Sequence, residues 1–266
     1  MHTTQEELIL KTAIDAAYKA GKVLLDMFKR PREITFKGIR DLVTDADLAA
    51  QAAIFEKIKR SFPNHVILAE EMEGAKLTDF DSTYTWIIDP LDGTTNYSRR
   101  YPCFSISIAV SFNGEVFLGV VYEPFYNRLF RAQRGQGAYL NGEALHVSSN
   151  RILLSTLVGF DWARGRDARQ EVIEIVSKIA PRVGTMRTSG SAALGMCSVA
   201  TGWIDAYFGV SLKLWDAAAS SLIVKEAGGV ISDLTGLPWK PGYPRCLATN
   251  GLIHEGILRI LKGSGG

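Results

Sequence analysis

Apolar residues recur at helical spacing from the start of the chain. Leu8, Ala13, Ala16, Leu24 and Phe28 share one face, which predicts a long amphipathic helix. Thr3 or Thr4, with Glu6 or Glu7 three residues on, supplies a capping box for it, and Pro31 its stop. Beyond a loop at Phe36-Lys37-Gly38-Ile39-Arg40, the stretch from Thr44 through Phe62 predicts a second helix, N-capped by Thr44 and stopped by Pro63. Val66-Ile67-Leu68-Ala69 is an apolar run of strand length that ends in Glu70 and Glu71. Trp86-Ile87-Ile88 is another, stopping at Pro90.

From Cys103 to Val147 the period changes to alternation, broken by Asn113-Gly114 and Asn141-Gly142. These are hairpin dipeptides, so the segment predicts an antiparallel meander, covered by the two N-terminal helices. From about Leu153 strands and helices alternate: a strand to Phe160, a helix from Asp167 to Ile179, a strand around Thr185, a helix after Gly190 and a strand near Ala206. A last helix pair frames Gly228-Gly229 and the strand that follows them. The expected organisation is an α+β lobe over residues 1–150 and an α/β lobe over residues 151–266, divided by a change of pattern without a flexible joint.

Composition narrows the function classes. With 266 residues, 47% of them hydrophobic, the chain can bury a large core. Thirty basic and 28 acidic residues give a net charge of +2 and are mixed along the sequence, so binding of nucleic acid by bulk electrostatics is not expected. Cys103, Cys197 and Cys246 are far apart and lack C-x-x-C spacing, which predicts reduced thiols in a cytoplasmic protein. His2, His65, His146 and His254 form no zinc-ligand pair, so any metal should be held by oxygen. No apolar run approaches the ~20 residues of a membrane span, no signal peptide opens the chain, and Gly263 to Gly266 read as a frayed end.

The chemistry concentrates in Trp86 to Tyr97, WIIDPLDGTTNY. Asp89 and Asp92 flank a Pro-Leu turn, close enough to reach one hard cation. Gly93-Thr94-Thr95-Asn96 opens a helix whose first N–H groups are available to an anion. Carboxylates beside anion-binding N–H groups are what metal-assisted phosphoryl chemistry requires. Each acid taken singly also suits a structural role: Asp47 completes a capping box with Thr44, Asp216 suits a helix N-cap, and Glu70 and Glu71 suit a solvated loop. A shared metal site accounts for Asp47, Glu70, Asp89, Asp92 and Asp216 together. Carboxylates without His or Cys select magnesium or manganese, and their number suggests more than one ion.

Glu70-Glu71, DPLDGTTN from Asp89 to Asn96, and WDAAASSLIVKEAGG from Trp215 to Gly229, in that order and spacing, resemble the inositol monophosphatase family of magnesium-dependent, lithium-sensitive sugar phosphatases. DLVTDAD from Asp41 to Asp47 and GSAALGMC from Gly190 to Cys197 extend the resemblance over nearly the whole chain. It implies a layered αβαβα sandwich, α/β (α+β) in class, with the site between the lobes, and a homodimer. It also implies residue roles. Glu70, Asp89 and the Leu91 carbonyl would hold one Mg2+; Asp89, Asp92 and Asp216 a second; Glu70 would assist a weaker third. Asp47 and Thr94 match the pair that orients and deprotonates the attacking water. Gly93 and Thr94 N–H groups, with Thr95 beside them, match a phosphate cradle, and Ala192, Asp92 and Asp216 match positions that meet substrate hydroxyls.

The expected activity is hydrolysis of inositol 1-phosphate or a similar small polyol or sugar phosphate, by water attack without a covalent intermediate. In inositol-preferring members an acid commonly lies seven residues before the Trp-Asp aspartate, where this chain has Gly209, so discrimination by hydroxyl pattern should weaken. Fructose 1,6-bisphosphate is the nearest rival substrate; Arg164 and Arg166 would meet its second phosphate, although a solvated loop before a helix is the simpler reading of both. Histidinol phosphate and 3′-phosphoadenosine 5′-phosphate rank lower, because phosphatases for them commonly carry lysine where Thr95 stands. The loop around Lys37 could close over the site, hold the third ion or be a plain surface loop, and Lys213 could face the substrate or only the surface. A different class of function, a binding or regulatory module on the same fold, is separable from catalysis by mutation of the acids.

Overall fold

The computed structural model describes residues 4–30, 33–38, 40–72 and 84–263, with the side chains of residues 37 and 41 left aside. Pro31, Thr3, Ile39 and the last three residues lie outside that set.

Helix α1 (Gln5–Phe28) opens with the expected capping box: the Thr4 hydroxyl accepts from Glu7 N at 3.2 Å, and Thr4 N donates to Glu7 Oε2 at 2.7 Å. Phe36 to Gly38, expected within a loop, are instead the end of strand β1 (Ile34–Gly38), which forms a hairpin with β2 (Asp41–Thr44). Ile-Thr-Phe and Leu-Val-Thr are strand-forming triplets whose polar neighbours hide the alternation. Helix α2 (Asp45–Ser61) follows at once, with Thr44 as its N-cap.

A seven-stranded sheet carries β3 (Val66–Ala69), β4 (Thr85–Asp92), β5 (Ser105–Phe112), β6 (Glu115–Glu123), β7 (Arg128–Gln133), β8 (Ala138–Leu140) and β9 (Glu143–Ala144) in chain order. β3 pairs with β4 in parallel, and every later pair is antiparallel, so the meander is as expected. Asn113-Gly114 and Asn141-Gly142 turn with positive φ at both residues, as two-residue hairpins require. β4 does not stop at Pro90. It continues to Asp92 through a register shift between Asp89 and Asp92, the bulge that lets a proline lie in a strand.

The second sheet has the order β11 (Thr185–Arg187), β10 (Leu157–Phe160), β12 (Ala206–Val210), β14 (Arg245–Thr249), β13 (Val230–Ser232). Helices α4 (Arg166–Ile179), α5 (Ala192–Ala200), α6 (Leu214–Glu226) and α7 (His254–Leu261) complete the chain, after the short α3 (Thr94–Ser98). Where one strand was expected after Gly229, there are two, β13 and β14, before α7.

The layers follow from which faces are apolar. α1 and α2 cover one face of the large sheet through Ile9, Leu24, Ile54, Ile58, Trp86 and Ile108. α5 and α6 fill the space between the two sheets, joining Ile87, Ala109 and Val121 to Tyr207 and Ala248. Buried on nearly every side, these two helices are apolar all round and rich in alanine, which permits close approach. α4 and α7 close the outer face of the small sheet through Val172, Ile175, Phe208 and Ile257. The result is the expected αβαβα sandwich. No helix among the described residues is long and apolar enough to cross a membrane.

Candidate active site

The β4 bulge and the start of α3 bring the acidic motif to one end of the large sheet. Gly93 caps α3 with φ +93°, a conformation that turns the chain from strand into helix within one residue. Tyr97 N donates to Gly93 O at 3.0 Å, closing the first helical turn. The N–H groups of that turn have no carbonyl ahead of them to bond. Thr95 is exposed beside them, and Asn96 Nδ2 donates to Cys103 O at 2.7 Å and to Ser189 O at 2.8 Å, anchoring the turn to the second half of the chain.

Thr94 and Asp47 meet, although 47 residues separate them: the Thr94 hydroxyl lies 3.2 Å from Asp47 Oδ1 and 3.0 Å from Leu91 O. Asp47 Oδ2 accepts from Thr44 N at 2.8 Å and from the Thr44 hydroxyl at 2.5 Å. The capping-box and site readings of Asp47 are therefore compatible, one carboxylate oxygen serving each. Burial pushes the Asp47 carboxyl up to about 6, against the lowering effect of the Thr44 hydrogen bonds and with a further push from Glu71 and Glu70.

Asp92 is held by the start of α5. Its Oδ2 accepts from the Ser191 hydroxyl at 2.5 Å and from Ala193 N at 2.9 Å, with the Ser105 hydroxyl at 3.4 Å. Among the described residues its Oδ1 accepts from Ala192 N, at 3.3 Å, and so has fewer donors than Oδ2. Asp89 Oδ1 accepts from Leu91 N at 3.0 Å. Asp216 is the third residue of α6, not its N-cap, and accepts from Lys213 N at 2.8 Å. Glu70 follows β3 and pairs with Arg164 at 3.6 Å. Arg40, at the tip of the β1–β2 hairpin, donates to Arg164 O at 3.0 Å, so the hairpin reaches the loop opposite. Arg166 is the first residue of α4 and Lys213 the N-cap of α6.

The four acids act on one another. Burial raises Asp89 well above the carboxylate range, and the charges of Glu70, Asp92 and Asp216 raise it further. Burial takes Asp92 to about 6 in spite of its donors, and Asp216 to about 8, where Glu70 is the next cause. Asp89, Asp92 and Asp216 thus resist ionisation until a cation joins them. The donors are all oxygen, as magnesium and manganese prefer. Among the described residues no three acid, histidine or cysteine side chains converge tightly enough to cage an ion as they stand. Ser191 and Ala193 donate to one oxygen of Asp92, and Arg164 partners Glu70. The three cysteines are free, and burial pushes the Cys103 thiol up to about 12, away from the thiolate form.

Gly209 is the penultimate residue of β12. A Cβ there would lie 2.7 Å from Leu212 Cδ1, so Leu212 fills the space that an acid would need. Two contributors escaped the sequence reading. Ser191 is legible only as the N-cap of α5, and Asp161 only as a loop acid, because their contacts with the site span 99 and 29 residues.

The profile of the inositol monophosphatase family matches residues 5–265. The chain is 43% identical over 258 residues to the Escherichia coli (strain K12) protein named Nus factor SuhB, covering 96% of this chain and 93% of that one. It is 36% identical over 265 residues to inositol monophosphatase 2 of Solanum lycopersicum, covering 97% and 99%. The crystal structure of extragenic suppressor protein suhB from Bartonella henselae superposes with a TM-score of 0.90 at 32% identity, covering 96% of this chain and 98% of that one.

Proposed function

The chain belongs to the inositol monophosphatase family, and from that premise we propose that it is a magnesium-dependent phosphomonoester hydrolase for inositol 1-phosphate or a similar small polyol or sugar phosphate. One observation carries this reading: the Thr94–Asp47 hydrogen bond lies beside the Leu91 carbonyl, within the same turn as Asp89 and Asp92. A proton acceptor from α2, an ion-binding carbonyl and two acids thereby meet at one turn.

Glu70, Asp89, Leu91 O, Asp92 and Asp216 would hold two ions, with Glu70 assisting a third. Magnesium bound there supplies charge neutralisation at the phosphate and acidification of a water. The remaining work falls to the chain. Thr94 Oγ1 accepts from the attacking water and passes its own proton to Asp47 Oδ1. A carboxyl raised to about 6 is suited to accept a proton near neutral pH. The N–H groups of Gly93 and Thr94, with Thr95 beside them, hold the phosphoryl oxygens. Ala192, Asp92 and Asp216 border the substrate hydroxyls. With Leu212 in place of an acid beside Gly209, selection among polyols is relaxed, and fructose 1,6-bisphosphate is the next substrate to try. The same reading places the site between the lobes of residues 1–150 and 151–266, in a cytoplasmic homodimer.

Phosphate release from inositol 1-phosphate, fructose 1,6-bisphosphate, histidinol phosphate and 3′-phosphoadenosine 5′-phosphate, with magnesium and with an EDTA blank, tests it. Turnover of the first, with or without the second, is expected. No metal-dependent release from any of the four would overturn the reading.

A second reading, a factor with a macromolecular partner, is favoured by the name Nus factor of relatives at 43% identity. Asp89→Asn with Asp216→Asn separates the two. A cellular role that survives loss of hydrolysis belongs to the factor, and one that is lost with it belongs to the enzyme.

A further inference from the structure

Asp161 follows β10 and has no part in the chemistry above. Its Oδ1 accepts from Gly190 N at 2.5 Å, and its Oδ2 accepts from the Tyr207 hydroxyl at 3.1 Å. Phe160 is in register with Phe208 on the neighbouring parallel strand, so the acid stands at the same end of the sheet as Gly209. Gly190 leads directly into Ser191, whose hydroxyl, with Ala192 N and Ala193 N, surrounds Asp92. The opposite side of the turn is fixed by Asn96, which donates to Ser189 O. A turn held at Ser189 and Gly190 can present three donors to one carboxylate without drifting. Loss of either hold frees the segment to rotate about the left-handed Gly190, φ +75°.

We propose that Asp161 is a positioning residue: by binding Gly190 N it holds the Gly190–Ser191 turn in the place from which Ser191, Ala192 and Ala193 orient the Asp92 carboxylate. Carboxylates that anchor the partners of a metal-binding group are worth about ten- to hundredfold in affinity or rate. The effect on catalysis rests on the phosphatase reading above; the anchoring of the turn does not.

The experiment is a double-mutant cycle of Asp161→Ala and Ser191→Ala in the full chain, read in three ways. Amide hydrogen exchange at residues 190–193 should rise at least tenfold in Asp161→Ala. Binding of Mn2+, followed by electron paramagnetic resonance, should weaken about tenfold, and kcat with magnesium should fall more than KM rises. The double variant should be little worse than the worse single one, because both changes act through Asp92. Asp161→Asn keeps an acceptor for Gly190 N and should recover most of each loss, which also serves where the alanine variant folds poorly. Unchanged exchange at the turn in Asp161→Ala overturns the proposal, as do additive losses in the cycle. A wild-type chain that hydrolyses nothing overturns the phosphatase reading instead, and the exchange measurement still decides the anchoring.

Discussion

The Thr94 hydroxyl lies 3.2 Å from Asp47 Oδ1, while the other oxygen of Asp47 is tied to the N-cap of its own helix. One acid thus couples the start of α2 to the turn that follows Asp89 and Asp92. Asp47→Asn should keep the cap, since an asparagine oxygen can still accept from Thr44 N, and lose the proton acceptor. We expect kcat to fall by about 10²–10⁴, with Mn2+ binding within about threefold of wild type on the same argument that the ion ligands are untouched. Steady-state kinetics beside a metal titration checks this. Loss of Mn2+ binding in step with kcat would make Asp47 a ligand.

The acid cluster should cost stability when no cation is bound. Asp92 and Asp216 have an ordinary value of 3.8 and are raised in the folded chain to about 6 and about 8. Between those limits the folded state binds more protons than the unfolded one, so stability falls as pH rises from about 4 to about 8 and levels off above. In EDTA the melting temperature should therefore drop across that range, and magnesium should restore most of the loss at pH 8. A chelated protein whose stability stayed flat or rose with pH would contradict the mutual burial of these carboxylates.

The same logic makes a mutation stabilising. Asp89→Asn with Asp216→Asn removes two buried groups that repel their neighbours, at positions where function opposes stability. In EDTA at pH 8 the double variant should melt several degrees higher than wild type, a shift of about 2–4 °C for each kcal/mol recovered. It should also gain nothing from magnesium. Differential scanning calorimetry with and without the ion reads both.

What could be read from the sequence was local. Thr4 with Glu7, Thr44 with Asp47, and the two Asn-Gly turns are signals whose partners lie within three residues, and all four form. The apolar run before Asp89 marked a strand, yet Pro90 suggested a stop because a bulge leaves no compositional trace. β14 was missed for a similar reason: Arg245-Cys246-Leu247-Ala248-Thr249 is a short buried run without alternation, following a stretch rich in glycine and proline. At the site, the motif acids could be named from resemblance, but the contacts of Ser191 and Asp161 depend on which strands are neighbours. That is a property of the assembled sheets.

Arg164 competes with any cation that Glu70 would bind. The pair is 3.6 Å long, with the arginine side chain half exposed and the Glu70 side chain nearly buried, so solvent screens it from the arginine's side only. Arg164→Gln should tighten Mn2+ binding about two- to fivefold. If the guanidinium also meets a second phosphate, KM for fructose 1,6-bisphosphate should rise while that for inositol 1-phosphate stays put. Weaker Mn2+ binding in the variant would show that Arg164 supports the site and does not compete with the ion.

Gly93 allows a sharper test, because a second glycine provides its control. At φ +93° any other residue pays for a left-handed backbone, and a Cβ at Gly93 would also lie 3.0 Å from Cys103 O and 3.3 Å from Gly190 O. Gly228 has φ +88° with nothing within 4 Å of its Cβ position, so Gly228→Ala incurs the backbone cost alone. That cost is about 1–2 kcal/mol. Gly93→Ala should exceed it, because two backbone oxygens must move, and one of them belongs to the turn that leads to Ser191. Only Gly93→Ala should lower kcat/KM, since displacement of the first turn of α3 shifts Thr94 from Asp47 and the N–H groups from the phosphate. Equal melting temperatures for the two variants, with equal activity, would mean that the junction of β4 and α3 has room that its geometry denies.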